Sequence, residues 1–364
     1  MTDPAITARD VDAAEAVRLA TDGHRVLDVR EQSEWDAGHI PGATLLPLGQ
    51  LPVRMAEVLP DRDQPLLVHC AVGARSSRAS AYLAANGYRN VANLHGSLAD
   101  WRAAGGPWEA PVQPLTEGQT LRYERQLPLP EVGVAGQRRL LDAKVLVVGA
   151  GGLGSPAALY LAAAGIGTIG LVDDDVVELS NLQRQVLHAT GRIGQGKTGS
   201  GRTALEALNP EVTVVEHAER LDAGSVERLL APYDVIVDGS DRFDTRYLIN
   251  DGAVALRKPV IHAAVYRWEG QVTTLVPFEG PCYRCLHPSP PPQELAPDCD
   301  VAGVMGTLPG IAGTLQANEV IKLILGAGEP LIGRVLMFDA KSGEFREIRA
   351  ERDPHCAACG DGAG

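Results

Sequence analysis

Apolar residues along this chain alternate between two spacings. Val26-Leu27-Asp28-Val29 and Leu66-Leu67-Val68 are short runs rich in β-branched and leucine side chains with turn residues after them, and they predict strands. Residues 11–20 and 76–86 return apolar side chains at helical intervals, and the second stretch stops at Gly87, a natural C-terminal cap. Farther on, Lys144-Val145-Leu146-Val147-Val148 predicts a strand, residues 155–164 a helix and residues 168–172 a second strand. Residues 212–215 and 234–237 continue the strands, residues 308–325 read as a long helix, and Val335-Leu336-Met337-Phe338 as a late strand. Strands that alternate with helices imply parallel pairing in sheets covered on both faces. The pattern predicts an α/β protein.

At 364 residues the chain is too long for one ordinary domain. Residues 107–118 hold three prolines and few apolar side chains, so we expect a first domain over 1–110, a linker over 111–118 and a second domain over 119–364. Forty glycines and 25 prolines exclude a helix bundle and suit turn-rich α/β folds. A net charge of −13 repels phosphate backbones and anionic lipid, which argues against nucleic-acid or membrane binding. Six cysteines in so long a chain do not make a secreted disulfide framework. The first residues carry acidic groups and no apolar segment of signal-peptide length. Residues 145–172 carry no charge, but glycines and a proline break their middle, so a buried strand, turn and helix in series are expected, in a soluble cytoplasmic protein.

His69-Cys70-Ala71-Val72-Gly73-Ala74-Arg75-Ser76 joins a predicted strand to a predicted helix. A cysteine there faces turn amides, the positive end of the helix, and Arg75, all of which favour a thiolate. The plainer alternative is an inert thiol closing a core strand. Four residues separate Cys70 from Arg75, a shorter loop than in cysteine-dependent phosphatases of similar layout, which suits a sulfur-bearing group better than a phosphate ester. Together with Asp28-Val29-Arg30 and Glu34-Trp35-Asp36-Ala37-Gly38-His39-Ile40-Pro41-Gly42-Ala43, the Cys70 loop resembles a rhodanese domain spanning residues 8–108. The resemblance implies a small parallel-sheet domain with a persulfide on Cys70, its terminal sulfur held by the loop amides and Arg75, and Asp28 ordering the neighbouring loop.

Gly149-x-Gly151-Gly152-x-Gly154, after a strand and before a helix, is a dinucleotide-type phosphate turn, and Asp173 ends the next strand where a ribose-binding carboxylate belongs. Alone it says only that a nucleotide binds, with NAD the default. Arg184 and Lys197 follow closely, and Asp241 sits after another strand. Hydride transfer has no need of extra cations near a pyrophosphate, whereas splitting ATP between its α- and β-phosphates does, and a carboxylate such as Asp241 suits Mg²⁺. Cys282-x-x-Cys285 and Cys356-x-x-Cys359 pair as a four-thiolate set for a structural Zn²⁺.

From about residue 121 to 360 these motifs, with Arg122-Tyr123-Glu124-Arg125-Gln126 at the start, resemble the MoeB/ThiF family of adenylating enzymes, relatives of the ubiquitin-activating enzymes. The resemblance implies a Rossmann-like doubly wound domain with a four-cysteine zinc site, binding ATP with Mg²⁺. It makes Asp173 the ribose ligand, Arg184 and Lys197 phosphate ligands, Asp241 the metal-linked aspartate, and Asn181 part of the same pocket. It implies a homodimer in which Arg125 reaches a neighbouring subunit's site, and it matches Cys299 to a cysteine of acyl or sulfur transfer. Aspartates on both sides of Cys299 are expected to raise its thiol pKa, which argues against an unassisted nucleophile.

The implied reaction is adenylation of the C-terminal Gly-Gly of a small ubiquitin-fold sulfur-carrier protein. Sulfur transfer from Cys70 then makes a thiocarboxylate for molybdopterin, thiamine or thiolated tRNA. The donor to Cys70 is expected to be thiosulfate or a cysteine desulfurase. Two other readings stay open on the residues: an NAD-dependent oxidoreductase using the same glycine turn, and a non-catalytic binding module.

Overall fold

The computed structural model describes residues 8–109, 113–290 and 303–361, and the chain divides into two compact units, 1–114 and 115–364. In the first unit five strands, β1 (Arg9–Val11), β2 (Arg25–Asp28), β3 (Thr44–Leu45), β4 (Leu66–His69) and β5 (Val91–Leu94), make an all-parallel sheet in the order β1-β5-β4-β2-β3. The two-residue period of the strands sends alternate side chains to opposite cores. Leu27, Leu66 and Val68 pack with Leu51 and Leu83 of the helices Leu51–Val58 and Ala74–Ala85. Val26 and Leu67 pack on the other face with Ala16 and Trp101 of the helices Ala13–Thr21 and Leu98–Ala103. Central β4 is buried at all four residues, so the loop after it starts from a fixed base.

The second unit opens with a helix, Glu117–Arg122, whose first two residues fall in the stretch expected to be linker. Thr116 and Gln119 cap it reciprocally, a short polar signal that an apolar-period reading passes over. Its sheet has eight strands: β6 (Lys144–Val148), β7 (Thr168–Val172), β8 (Thr213–His217), β9 (Val235–Asp238), β10 (Val260–Tyr266), β11 (Glu269–Leu275), β12 (Arg334–Asp339) and β13 (Glu344–Arg349). The order is β13-β12-β11-β10-β9-β6-β7-β8. β10-β9-β6-β7-β8 are parallel, while β11, β12 and β13 add an antiparallel meander. Val145 and Val147 face the helices Gly154–Ala164 and Thr307–Leu325, and Leu146 and Val148 face Val226–Leu230 and Phe243–Leu256.

The uncharged stretch 145–172 is β6, a glycine turn, a buried helix and β7, and among the described residues no helix is long and apolar enough to cross a membrane. From β6 the chain moves outward to β7 and β8 and then returns to β9 on β6's other side. That reversal leaves a crevice at the strands' C-terminal ends between β6 and β9, the usual position of a ligand in an open α/β sheet.

Candidate functional site

In the first unit Cys70 follows β4 directly and is buried. Its Sγ accepts the amides of Gly73 at 3.2 Å and Ser76 at 3.4 Å and lies 3.6 Å from the Ser76 hydroxyl. Gly73 makes this curl possible with φ +90°, a conformation that L side chains rarely adopt. Burial pushes the Cys70 thiol up, but the Ser76 hydroxyl and the amides of Ser76, Val72 and Arg75 outweigh it, so the net shift is downward. The sequence pointed to Cys70 and Arg75; Ser76, the strongest single stabiliser of the thiolate, is a residue that its motif does not single out.

Arg75 does lie near Cys70, and a thiolate there raises the guanidinium's pKa, but the first cause of that rise is Glu34. Arg75 donates from Nη1 and Nη2 to the two Glu34 oxygens at 2.6 and 2.7 Å. The Arg75 guanidinium beside Glu34 holds its carboxyl down at about 2. Asp28 accepts the Arg30 amide and guanidinium, and Arg30 donates onward to the carbonyls of Glu34 and Gly38. Asp28 therefore orders the loop bearing Glu34, as its motif suggested. His69 is buried beside these charges, and burial holds its imidazole down at about 4, neutral at physiological pH.

In the second unit the crevice between β6 and β9 is a cleft of about 660 Å³. It brings together Gly149, Gly151, Gly152, Asp173, Arg184, Lys197 and Asp241. The glycine requirement is steric: Gly149 has φ +91°, and a Cβ on it would sit 2.8 Å from the Gly239 carbonyl oxygen. Gly154 does not line the cleft; a Cβ on it would run into the Gly149 carbonyl, so it permits the turn rather than touching a ligand.

Asp173 accepts the amides of Ala150 at 2.8 Å and Asp175 at 2.9 Å, which ties the end of β7 to the glycine turn. Burial pushes its carboxyl up, and Lys197 opposes that shift. Lys197, itself buried, starts a helix (Lys197–Leu208) and donates to Asp175 at 2.8 Å, 3.9 Å from Asp173. Arg184 lines the cleft and donates from Nη1 to the Ser180 carbonyl at 3.2 Å. Behind the turn, His188 bridges the Ala150 carbonyl and the Ser200 hydroxyl, each at 2.9 Å.

Asp241 is exposed at the rim, whereas Asp238, three residues earlier, is buried and structural. Asp238 accepts from Ser240 and, at 2.7 Å, from His262 Nδ1, and so anchors the loop that presents Asp241. His262 comes from β10, a strand the apolar pattern did not reveal. Besides Gly154, Asn181 and Arg125 are not gathered here. Asn181 is buried and caps its own 3-10 turn through the Glu178 amide at 3.0 Å. Arg125 is exposed and does not line the cleft of its own chain, and Cys299 lies outside the described residues.

Cys282, Cys285, Cys356 and Cys359 converge so that their sulfurs lie within 4.8 Å of one another. Cys282 Sγ lies 3.8 Å from Cys285 and 3.6 Å from Cys356, and Cys285 lies 3.4 Å from Cys359, too far for disulfides. A tetrahedral ion with bonds of about 2.3 Å sets its thiolates about 3.8 Å apart, so the set fits a metal. Burial and the neighbouring thiols push Cys282 up, and the Asp353 amide donates to Cys285 at 3.4 Å. A cation is the natural means of holding four thiolates in so dry a place.

The ThiF family matches residues 123–358, and a rhodanese-like domain matches residues 12–104. A sulfur carrier protein adenylyltransferase of Thermus thermophilus is 49% identical over 251 residues, covering 68% of this chain and 93% of that protein. The adenylyltransferase and sulfurtransferase MOCS3 of Sus scrofa is 49% identical over 252 residues, 69% of this chain and 55% of its own. Among solved structures, E. coli MccB with AMPCPP and MccA superposes with a TM-score of 0.60 at 26% identity, covering 68% of this chain and 75% of that one.

Proposed function

Because this chain belongs to the ThiF family and carries a rhodanese-like domain ahead of that region, we propose that it adenylates the C-terminal carboxylate of a small ubiquitin-fold sulfur carrier and then delivers sulfur to it. The observation that carries the reading is the convergence of Arg184, Lys197 and Asp241 on the cleft floored by the glycine turn. The carrier's carboxylate oxygen attacks the α-phosphorus of ATP, an acyl phosphate bond forms, and the bond to pyrophosphate breaks. Arg184 and Lys197 stabilise the charge that builds on the leaving pyrophosphate, and Asp173 receives the ribose. Asp241 would hold Mg²⁺, which neutralises phosphate charge when bound. Arg125 completes the site from a second copy, making the enzyme a homodimer. The four cysteines would hold a structural Zn²⁺ that pins the C-terminal segment to the body of the second unit.

In the first unit Cys70 receives a sulfur atom as a persulfide. Its terminal sulfur attacks the acyl carbon, AMP leaves with the bonding pair, and an acyl disulfide joins carrier and Cys70. A thiol then attacks the Cys70 sulfur and releases the thiocarboxylate; Cys299 can supply that thiol, with an external dithiol reducing the resulting disulfide. The cytoplasm, which supplies ATP and reducing thiols, suits this chemistry. An NAD-linked reaction is the weaker reading, since Lys197 and Asp241 have no task in it.

The test is the intact mass of a candidate carrier after incubation with the protein, MgATP, a sulfane-sulfur donor and a dithiol. The wild type yields the thiocarboxylate, while Cys70→Ala stops at the adenylate. A carrier mass unchanged with every candidate would remove the reading.

A further inference from the structure

Within the Cys70 loop, residues 71–75 supply a single cation, Arg75, and its guanidinium is already engaged. Both of its terminal nitrogens donate to Glu34, at 2.6 and 2.7 Å, a bidentate fork-to-fork pair that offsets its charge. Glu34 is itself fixed, because its carboxylate accepts the Glu31 amide at 3.2 Å in a capping box at the start of the helix Gln32–Asp36. Both side chains of the pair are about one-third exposed, so they stand at the rim of the loop where a donor arrives. The cation of this loop is therefore half of a neutral pair. At the tip of the same loop Val72 offers an apolar side chain that is 73% exposed.

A sulfonate-type donor such as thiosulfate brings two negative charges to this rim, where the charge of Arg75 is already offset by Glu34 and the Glu34 carboxylate itself stands in the approach. A persulfide carried on a thiol brings a neutral or singly charged –S–SH group and an organic body that can rest against Val72. We propose that the Glu34–Arg75 pair sets the donor class of the Cys70 loop: thiol-borne persulfides are accepted in preference to thiosulfate, and Glu34 imposes the preference. This rests on the reading of Cys70 as a sulfur carrier and specifies its donor. In the favoured step the Cys70 thiolate attacks the terminal sulfur of R–S–SH, the donor's S–S bond breaks, and R–S⁻ leaves with the bonding pair and takes up the proton. Cys70 gains one sulfur atom, and no outside oxidant or reductant is needed.

The experiment measures the rate of sulfur gain on Cys70 by intact mass in the full chain. One donor is thiosulfate and the other the persulfide of N-acetylcysteine amide, an uncharged thiol. In the wild type the persulfide has the higher kcat/KM. Glu34→Gln keeps an oxygen for the Glu31 amide but releases Arg75's charge, and it raises the thiosulfate-to-persulfide rate ratio by about five- to tenfold, as expected for removing one partly screened charge from the approach of a dianion. Glu34→Asp, which keeps the charge, leaves the ratio near the wild-type value. Equal use of the two donors by the wild type, or an unchanged ratio in Glu34→Gln, overturns the proposal. Should Glu34→Gln not fold, the wild-type comparison of the two donors decides alone. No sulfur gained from either donor would instead defeat the reading of Cys70 as a carrier, and the donor preference with it.

Discussion

At the scale of single residues, much of the first unit's chemistry depends on where burial and charge meet. Cys70 and Arg75 are legible in the sequence because their positions follow from a strand, a turn and a helix in series. Glu34 and Ser76 are not, since the first acts over 41 positions and the second is an ordinary serine until the loop curls around the sulfur. His69 shows the cost of packing such a site. Its imidazole is held at about 4 against an ordinary 6.5, with burial the first cause. The unfolded chain thus binds a proton between those values that the folded chain refuses, and stability is lost as pH falls from about 6.5 to about 4. The full shift corresponds to about 3 kcal/mol. Urea unfolding of the first unit's signal across that window should show the decline, and His69→Asn should flatten it; an equal decline in both proteins would assign the effect to other groups.

Elements explain why the second unit's site is only partly visible beforehand. Strand, glycine turn and helix around Gly149 announce themselves through an uninterrupted apolar run, and the structure adds that Gly149 and Gly239 back onto each other. The antiparallel additions leave weaker traces. β10 and β11 are joined through Arg267 and Trp268, with Arg267 at φ +55°, so the tight turn lacks the glycine or asparagine that marks most hairpins. β13 is exposed at every residue and shows no buried face for periodicity to reveal. Because β10 was not anticipated, neither was its His262, whose Nδ1 holds Asp238 beneath the loop bearing Asp241. His262→Ala removes a buried donor from a carboxylate and is expected to cost about 1–3 kcal/mol in thermal or urea unfolding while raising KM for ATP. His262→Asn, which can return one N–H, should recover part of both. Unchanged stability and KM in His262→Ala would show that the loop is held by other contacts.

Across the whole molecule, the division into two α/β units and their kinds of chemistry follow from motifs dense enough to survive without any coordinates. What the sequence leaves out is which charges are free to act: Asp238 and Asp241 read alike in a row of letters, yet one is buried against His262 and the other stands at the cleft's rim. In the proposed reaction the cleft's charges activate a protein carboxylate through ATP, independently of Cys70. Carrier-dependent exchange of pyrophosphate into ATP tests it most directly. The wild type and Cys70→Ala should exchange at similar rates, while Lys197→Ala and Asp241→Ala should each lose about 100-fold or more. Exchange that survives both cleft substitutions, or that vanishes with Cys70→Ala, would contradict it.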